Sequence, residues 1–359
     1  MTTPAERQLF YWLTRHRSTG AGAVVELGCW LGAGTAALAA GLRDQGSSAR
    51  VVAVDRFRWN ARHHPQMFDA GLADGEDFEP LLRAHTRELE PWIETVRADL
   101  AEFRWDRGPI EILVVDAPKR RADVERFLEV FGPSLIPGRS LVAFQDYLHE
   151  PSYALPALLG CHPETFRLVD VALPGATVLF EVLRAPVLDS ERRRAMDLSR
   201  WSAAATERHW RQRVLDPLPR EAHLAARISL VLLLHDQGHL DAALAELHRV
   251  AGEPKAARRL QRLAEKSLYV RYETLFRSIG MAPKRTTHEL HLNRAKAHLK
   301  AGQYDEAAEA CRAALAAAPG HADAVALAAR IERERGVLRR SVRALRRLIL
   351  PARPPRRLR

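Results

Sequence analysis

The chain has 359 residues, 47% of them hydrophobic and 28% charged, which is enough for about two domains with real cores. No run of about 18 apolar residues occurs, so no membrane span is expected. Net charge is +11, but nine arginines lie between Arg339 and Arg359, so the basic character belongs to one end of the chain.

Residues 1–20 read as a leading helix. Its Phe10, Tyr11, Trp12 and Leu13 are expected to pack on a sheet or cap a ligand site. The opening Met1-Thr2-Thr3-Pro4-Ala5-Glu6-Arg7 lacks the charged-then-apolar order of a signal peptide. Cys29, Cys161 and Cys311 are widely spaced, as in neither a disulfide framework nor a zinc site, and a reducing cytoplasm is the expected compartment. Ala23 to Leu27 is a short apolar run suited to a central parallel strand. Gly28, Gly32 and Gly34 follow, where tight turns and close approach of a ligand need glycine. Ala36 to Leu42 has helical composition. A second strand, Arg50 to Val54, ends in Asp55, placed where the second strand of a doubly wound sheet meets a nucleotide ribose. Strands and helices then alternate to residue 183, which predicts a mostly parallel α/β sheet. Phe166 to Val171 and Thr177 to Glu181 read as a closing antiparallel hairpin about Leu173-Pro174-Gly175-Ala176. The expected domains are 1–183, an arginine-rich helical connector at 184–219, an all-α repeat-like domain at 220–350, and a basic disordered tail at 351–359.

The glycine turn and the acid point to a nucleoside-bearing cofactor. A short-chain dehydrogenase would need a Tyr-x-x-x-Lys pair, and none of the six lysines has a tyrosine four residues before it. A P-loop would need Gly-Lys-Ser/Thr after the glycines, which is absent. The stretch Glu26-Leu27-Gly28-Cys29-Trp30-Leu31-Gly32 resembles instead the first motif of class I S-adenosylmethionine-dependent methyltransferases. Val96 to Leu100, Ile110 to Asp116 and the turn Leu135-Ile136-Pro137-Gly138 resemble that family's later motifs in the same order. The resemblance spans about residues 20–183 and implies a doubly wound, Rossmann-like domain. It places Glu26 near the methionine ammonium, Gly28 and Gly32 along the cofactor, Asp55 on the ribose and Asp99 near the adenine.

The acceptor chemistry is expected from Val114-Val115-Asp116-Ala117-Pro118-Lys119. Enzymes that methylate exocyclic or amide nitrogens usually carry Asn/Asp-Pro-Pro-Tyr/Phe here, and this chain does not. It is similar to cation-dependent O-methyltransferases with Asp-x-x-Lys at this place and a second acid after the fifth strand, here Asp146. That resemblance implies Asp116 and Asp146 as ligands of a divalent cation such as Mg²⁺, and Lys119 as the base. Lys119 is the first lysine of the chain, preceding Lys255, whereas arginines abound. Arginine cannot act as a base at neutral pH, and a lysine can be tuned to do so. Tyr147 stands where the family has a third ligand. A related group acting on macrolide sugars and glycans has histidines where this chain has Lys119 and Gln145, which leaves a metal-free route open. His63, His64, His149 and Tyr153 are further candidate contacts, and Trp59 either stacks on adenine or anchors its loop.

After about residue 220 the pattern is helical only. Leu299-Lys300-Ala301-Gly302-Gln303-Tyr304-Asp305-Glu306-Ala307 resembles a tetratricopeptide repeat, with a further turn expected at Gly336 and an earlier copy at Asp236-Gln237-Gly238. Such repeats imply a protein partner or self-association. The expected function is O-methylation of a hydroxyl on a small molecule, sugar or glycan. The alternative is a repeat-based interaction protein whose cofactor-binding domain no longer turns over. No RNA-binding motif accompanies the basic end, so nucleic acid is not the expected partner.

Overall fold

The computed structural model describes residues 2–60, 70–116, 120–264, 272–281, 287–300 and 302–349. It divides into two compact units, Met1–Glu246 and Leu247–Arg359.

The first unit is built on a seven-stranded sheet. In chain order its strands are β1 (Ala23–Leu27), β2 (Val51–Asp55), β3 (Ile93–Arg97), β4 (Ile110–Val115), β5 (Leu141–Phe144), β6 (Phe166–Ala172) and β7 (Thr177–Val182). The spatial order is β3-β2-β1-β4-β5-β7-β6. The first five strands run parallel, and β7 pairs antiparallel with both β5 and β6. This is the doubly wound α/β arrangement that the alternating pattern predicts. β1 and β4 lie at its centre and are apolar along nearly their whole length, because a parallel strand is covered on both faces. The strand order reverses between β1 and β4, and ligands of open α/β sheets bind outside the carboxyl ends at such a switch point.

Helix α1 (Pro4–Trp12) starts at a capping box made by Thr3 and Glu6, and α2 (Ala33–Gln45) starts at Gly32. Phe10 and Leu13 are fully buried against Val24, Leu38, Ala39 and Leu42. The leading helix therefore packs into the sheet core, while Trp12 is partly exposed. The remaining helices of the sheet region are α3 (Glu79–His85), α4 (Arg121–Phe131) and α5 (Ala154–Leu159). Phe127 of α4 packs edge-on against Phe144 of β5, with ring centroids 5.4 Å apart.

Beyond the sheet come α6 (Ser190–Ala195), α7 (Ala203–Trp210), α8 (Arg220–Asp236) and α9 (Leu240–Ala251). The connector and α8 lie within the first compact unit. Residues Ile228 to Leu234 of α8 are all buried, as in a core helix. Gln237 and His239, in the turn after it, bond the backbone carbonyls of Leu198 and Trp201.

The second unit contains α10 (Ala256–Ala264), α11 (Glu273–Ser278), α12 (Thr287–Lys300), α13 (Tyr304–Ala317) and α14 (Ala322–Ile349). Its core joins Leu292, Ala295 and Leu299 to Ala307, Cys311 and Ala314, and to Ala324, Leu327 and Ile331. The turn at Gly302 is present, with φ +74°. The turn expected at Gly336 is not, because α14 runs straight through that residue. A single glycine among helix formers lowers stability by only about 1 kcal/mol, which is too little to end a helix. No described helix is long and apolar enough to cross a membrane.

Candidate functional site

The carboxyl ends of β1, β2 and β4 are tied together by backbone. The N–H of Gly28 donates to the carbonyl of Val54, and that of Asp116 to the carbonyl of Leu27, both at 2.9 Å. Gly28 turns the chain away from β1 with φ +83°, in the left-handed region that glycine accepts without strain. A Cβ on it would lie 3.4 Å from the Cβ of Asp116, so this turn sits directly beside the end of β4. Gly32 has φ +86°, and a Cβ there would come within 2.9 Å of the Thr86 methyl. Its missing side chain lets the end of α3 close over the turn.

Four of the predicted cofactor residues gather around this turn. Glu26 is 1% exposed. One of its carboxylate oxygens accepts a 2.5 Å hydrogen bond from Thr35 Oγ1, in the first turn of α2. Burial pushes its pKa up from the usual 4.5 to about 8, the Thr35 hydroxyl opposes the shift, and the charges of Asp116 and Asp55 add to it. Asp55 accepts from the backbone N–H of Trp30 through one oxygen and of Phe57 through the other, both at 3.0 Å. Trp30 and Phe57 have φ +42° and +53°, which are sparsely populated values for residues with a side chain. Such backbone costs on the order of 1–3 kcal/mol per residue and persists only where surroundings hold it. Asp55 thus clamps two loops as well as standing at the predicted ribose position. Asp99 lies farther out, 48% exposed and 3.7 Å from the Arg56 guanidinium.

The acceptor-side candidates follow β5. Asp146 Oδ2 lies 4.0 Å from His149 Nδ1, and that same ring nitrogen lies 3.3 Å from Ser152 Oγ. Tyr153 donates its phenolic hydrogen to Asp236 at the end of α8. Tyr147 faces the other way. It is 4% exposed, its ring packs 5.2 Å from that of Phe180, and burial pushes its phenol pKa up. It is a core residue and does not stand as a third cation ligand. Trp59 is likewise buried, edge-on against Phe78 at 6.2 Å, so it anchors its loop rather than stacking on adenine. Lys119, His63 and His64 lie outside the described residues.

Sequence reasoning missed Thr35, the donor to Glu26, although a hydroxyl nine residues after a strand acid was a usable signal. It also missed the pairing of Asp146 with His149, whose signal is the i, i+3 spacing. Among the described residues, no group of three or more His, Cys, Asp or Glu side chains is placed to hold a metal ion. Tyr147, turned into the core, adds no third ligand to Asp116 and Asp146.

Two family models match the chain. One, described as a methyltransferase domain, covers residues 25–147. The other, described as a tetratricopeptide repeat, covers residues 298–358. The chain is similar to several solved structures. The O-methyltransferase NovP aligns at 14% identity and TM-score 0.40, over 50% of this chain and 80% of its own. CalS11, a TDP-rhamnose 3'-O-methyltransferase of calicheamicin biosynthesis, aligns at 18% identity and TM-score 0.37, over 50% and 81%. The SAH-bound methyltransferase PaMTH1 of Podospora anserina aligns at 11% identity and TM-score 0.34, over 51% and 80%. No curated protein matches the chain. The methyltransferase model ends at Tyr147, so His149, Tyr153 and everything before Val25 lie outside it.

Proposed function

We propose that the methyltransferase domain binds S-adenosylmethionine at the carboxyl ends of β1, β2 and β4, and that its acceptor is a hydroxyl of a small molecule, sugar or glycan. The observation that carries this reading is the set of three carboxylates, Glu26, Asp55 and Asp116, around the Gly28 turn. Burial is the main cause of the raised pKa of Glu26, and the charges of Asp116 and Asp55 add to it. A ligand bearing a sulfonium and an ammonium, and no phosphate, suits that field.

Glu26, Gly28, Gly32, Asp55 and Asp99 would hold the cofactor, which supplies an electrophilic methyl group when bound. Asp55 accepts one backbone N–H on each oxygen and keeps lone pairs for ribose hydroxyls. Asp116, Asp146 and Lys119 would manage the acceptor. A hydroxyl must lose its proton as the new C–O bond forms. Lys119 is the base that the sequence favours, and Asp146 with its neighbour His149 orients the hydroxyl and shares the charge. No step is routed through a cation.

The test is calorimetric titration with S-adenosylmethionine on the wild-type chain, on Asp55→Ala and on Lys119→Met. Micromolar binding that is lost in Asp55→Ala and kept in Lys119→Met supports the assignment. Melting curves of the same samples separate a lost ribose contact from a released loop. Wild-type protein that binds no cofactor would overturn the proposal and favour a repeat-based interaction protein with an inactive domain.

A further inference from the structure

Glu6 is an acid that the cofactor site does not use. It is 4% exposed and lies in the first turn of α1, before the segment matched by the methyltransferase model. Its Oε2 accepts from the Thr3 backbone N–H at 2.7 Å, which completes the capping box of α1. Capping explains only that oxygen. Its Oε1 accepts from the backbone N–H of Ala176 at 3.0 Å and from Thr177 Oγ1 at 2.7 Å, about 170 residues away in sequence. A Cβ on Gly175 would stand 2.6 Å from the Glu6 carboxyl carbon, so the turn between β6 and β7 is shaped around this side chain.

The same turn grips the acceptor side of the site. The carbonyl of Ala176 accepts the backbone N–H of Leu148 at 3.0 Å. Leu148 lies between Asp146 and His149, and the N–H of His149 returns to the carbonyl of Asp146 at 3.2 Å. The peptide group joining Gly175 to Ala176 donates to the α1 carboxylate, and the next carbonyl accepts from the loop after β5. A short unbroken set of hydrogen bonds therefore runs from Glu6 to the segment carrying the acceptor-side acid. Charge-assisted bonds to buried backbone N–H groups are about twice as strong as neutral ones, which makes Glu6 the strong end of that set.

We propose that Glu6 is a positioning residue for the loop bearing Asp146 and His149, acting through the β6–β7 turn. Its bearing on methyl transfer rests on the function proposed above; the mechanical link does not. Hydrogen–deuterium exchange on the full chain tests it, comparing wild type with Glu6→Ala, Glu6→Gln and Thr177→Val. In Glu6→Ala, exchange should rise about tenfold or more in the peptides carrying Ala176 and Leu148, the change expected from one lost bond to a charged acceptor. Glu6→Gln should restore protection in both, because its amide oxygen can still accept from Ala176 and Thr177 while its nitrogen cannot accept from Thr3. Thr177→Val, which removes one donor and leaves the cap intact, should loosen both peptides less, and it serves as the test if Glu6→Ala does not fold. S-adenosylhomocysteine affinity should stay within about twofold of wild type, since no cofactor-side group moves. Loosening at Ala176 with Leu148 still protected would overturn the proposal, as would failure of Glu6→Gln to restore protection. Absence of S-adenosylhomocysteine binding by the wild type would instead count against the cofactor reading and leave the exchange result to stand on its own.

Discussion

The sheet carries a buried glutamate near each end of its central strands, and their surroundings differ. Glu111 sits at the amino end of β4 and Glu26 at the carboxyl end of β1, each 1% exposed. Glu111 accepts from the backbone N–H groups of Thr19 and Gly20 at 3.0–3.1 Å, from Thr19 Oγ1 at 2.5 Å and from Ser18 Oγ at 3.5 Å. Among the described residues Glu26 has one hydroxyl donor, Thr35, and the acids Asp116 and Asp55 for neighbours. A buried charge is tolerated when its lone pairs are filled. At the amino end the chain fills them with its own loop, so the group is structural. At the carboxyl end one described hydroxyl fills them, and under the proposed function a cationic ligand supplies the rest. The difference between the two ends separates a fastening from a site, although both residues are the same acid in equally dry surroundings.

The largest effect expected is the pH dependence that Glu26 gives the unliganded protein. Its folded pKa of about 8 exceeds the usual 4.5, so the folded state holds a proton that the unfolded state releases. Stability then falls as pH rises through that window and levels off above it, by on the order of 4 kcal/mol. Glu26→Gln removes the titration. Denaturant melts from pH 5 to pH 9 should show the mutant gaining on the wild type as pH rises, by an amount that levels off above pH 8. A difference that stays flat with pH would mean that Glu26 is charged throughout and that the two ends are alike after all.

Glu111→Ala comes next. It removes the shared acceptor of the Thr19 and Gly20 N–H groups and of the Ser18 and Thr19 hydroxyls, of which Ser18 is buried and Thr19 and Gly20 are exposed, and should cost about 1–3 kcal/mol. S-adenosylmethionine affinity should be unchanged in protein that is still folded at the assay temperature. A mutant that melts like the wild type but binds cofactor weakly would break the division between fastening and site.

How much of this was visible in the sequence follows from the range of the interactions. The central strands β1, β2, β4 and β5 were legible because each is a short, mostly apolar run, and the hairpin because Leu173-Pro174-Gly175-Ala176 has turn composition. The Gly28 turn and Asp55 were legible as a pair because glycine and acid stand at strand ends. Tyr147 and Trp59 were not, since both adjoin site residues and only their packing on Phe180 and Phe78 decides that they belong to the core. Glu6 and Glu111 were invisible for a related reason. Their partners lie about 170 and 92 residues away, and no local pattern marks an acid whose donors arrive from another part of the fold.

The smallest effect sharpens the comparison most. Thr35→Val keeps the shape of the side chain and removes the hydroxyl that donates to Glu26. That hydroxyl holds the Glu26 pKa down against burial, so its loss should push the pKa above its present value of about 8. Above that pH the wild-type carboxylate is charged and its bond to Thr35 is charge-assisted, and the mutation should lower stability by about 1–2 kcal/mol. Near pH 6 the carboxyl is neutral in both proteins, and the loss should shrink to that of an ordinary neutral bond, about 1 kcal/mol or less. Glu111 offers the control: its several donors do not depend on Thr35, so Glu111→Ala should cost the same in the wild type and in Thr35→Val. A Thr35→Val penalty that does not grow between pH 6 and pH 9 would show that the hydroxyl serves the helix rather than the acid. Glu26 would then have no effective hydroxyl donor among the described residues, and the proposed cationic ligand would matter the more to it.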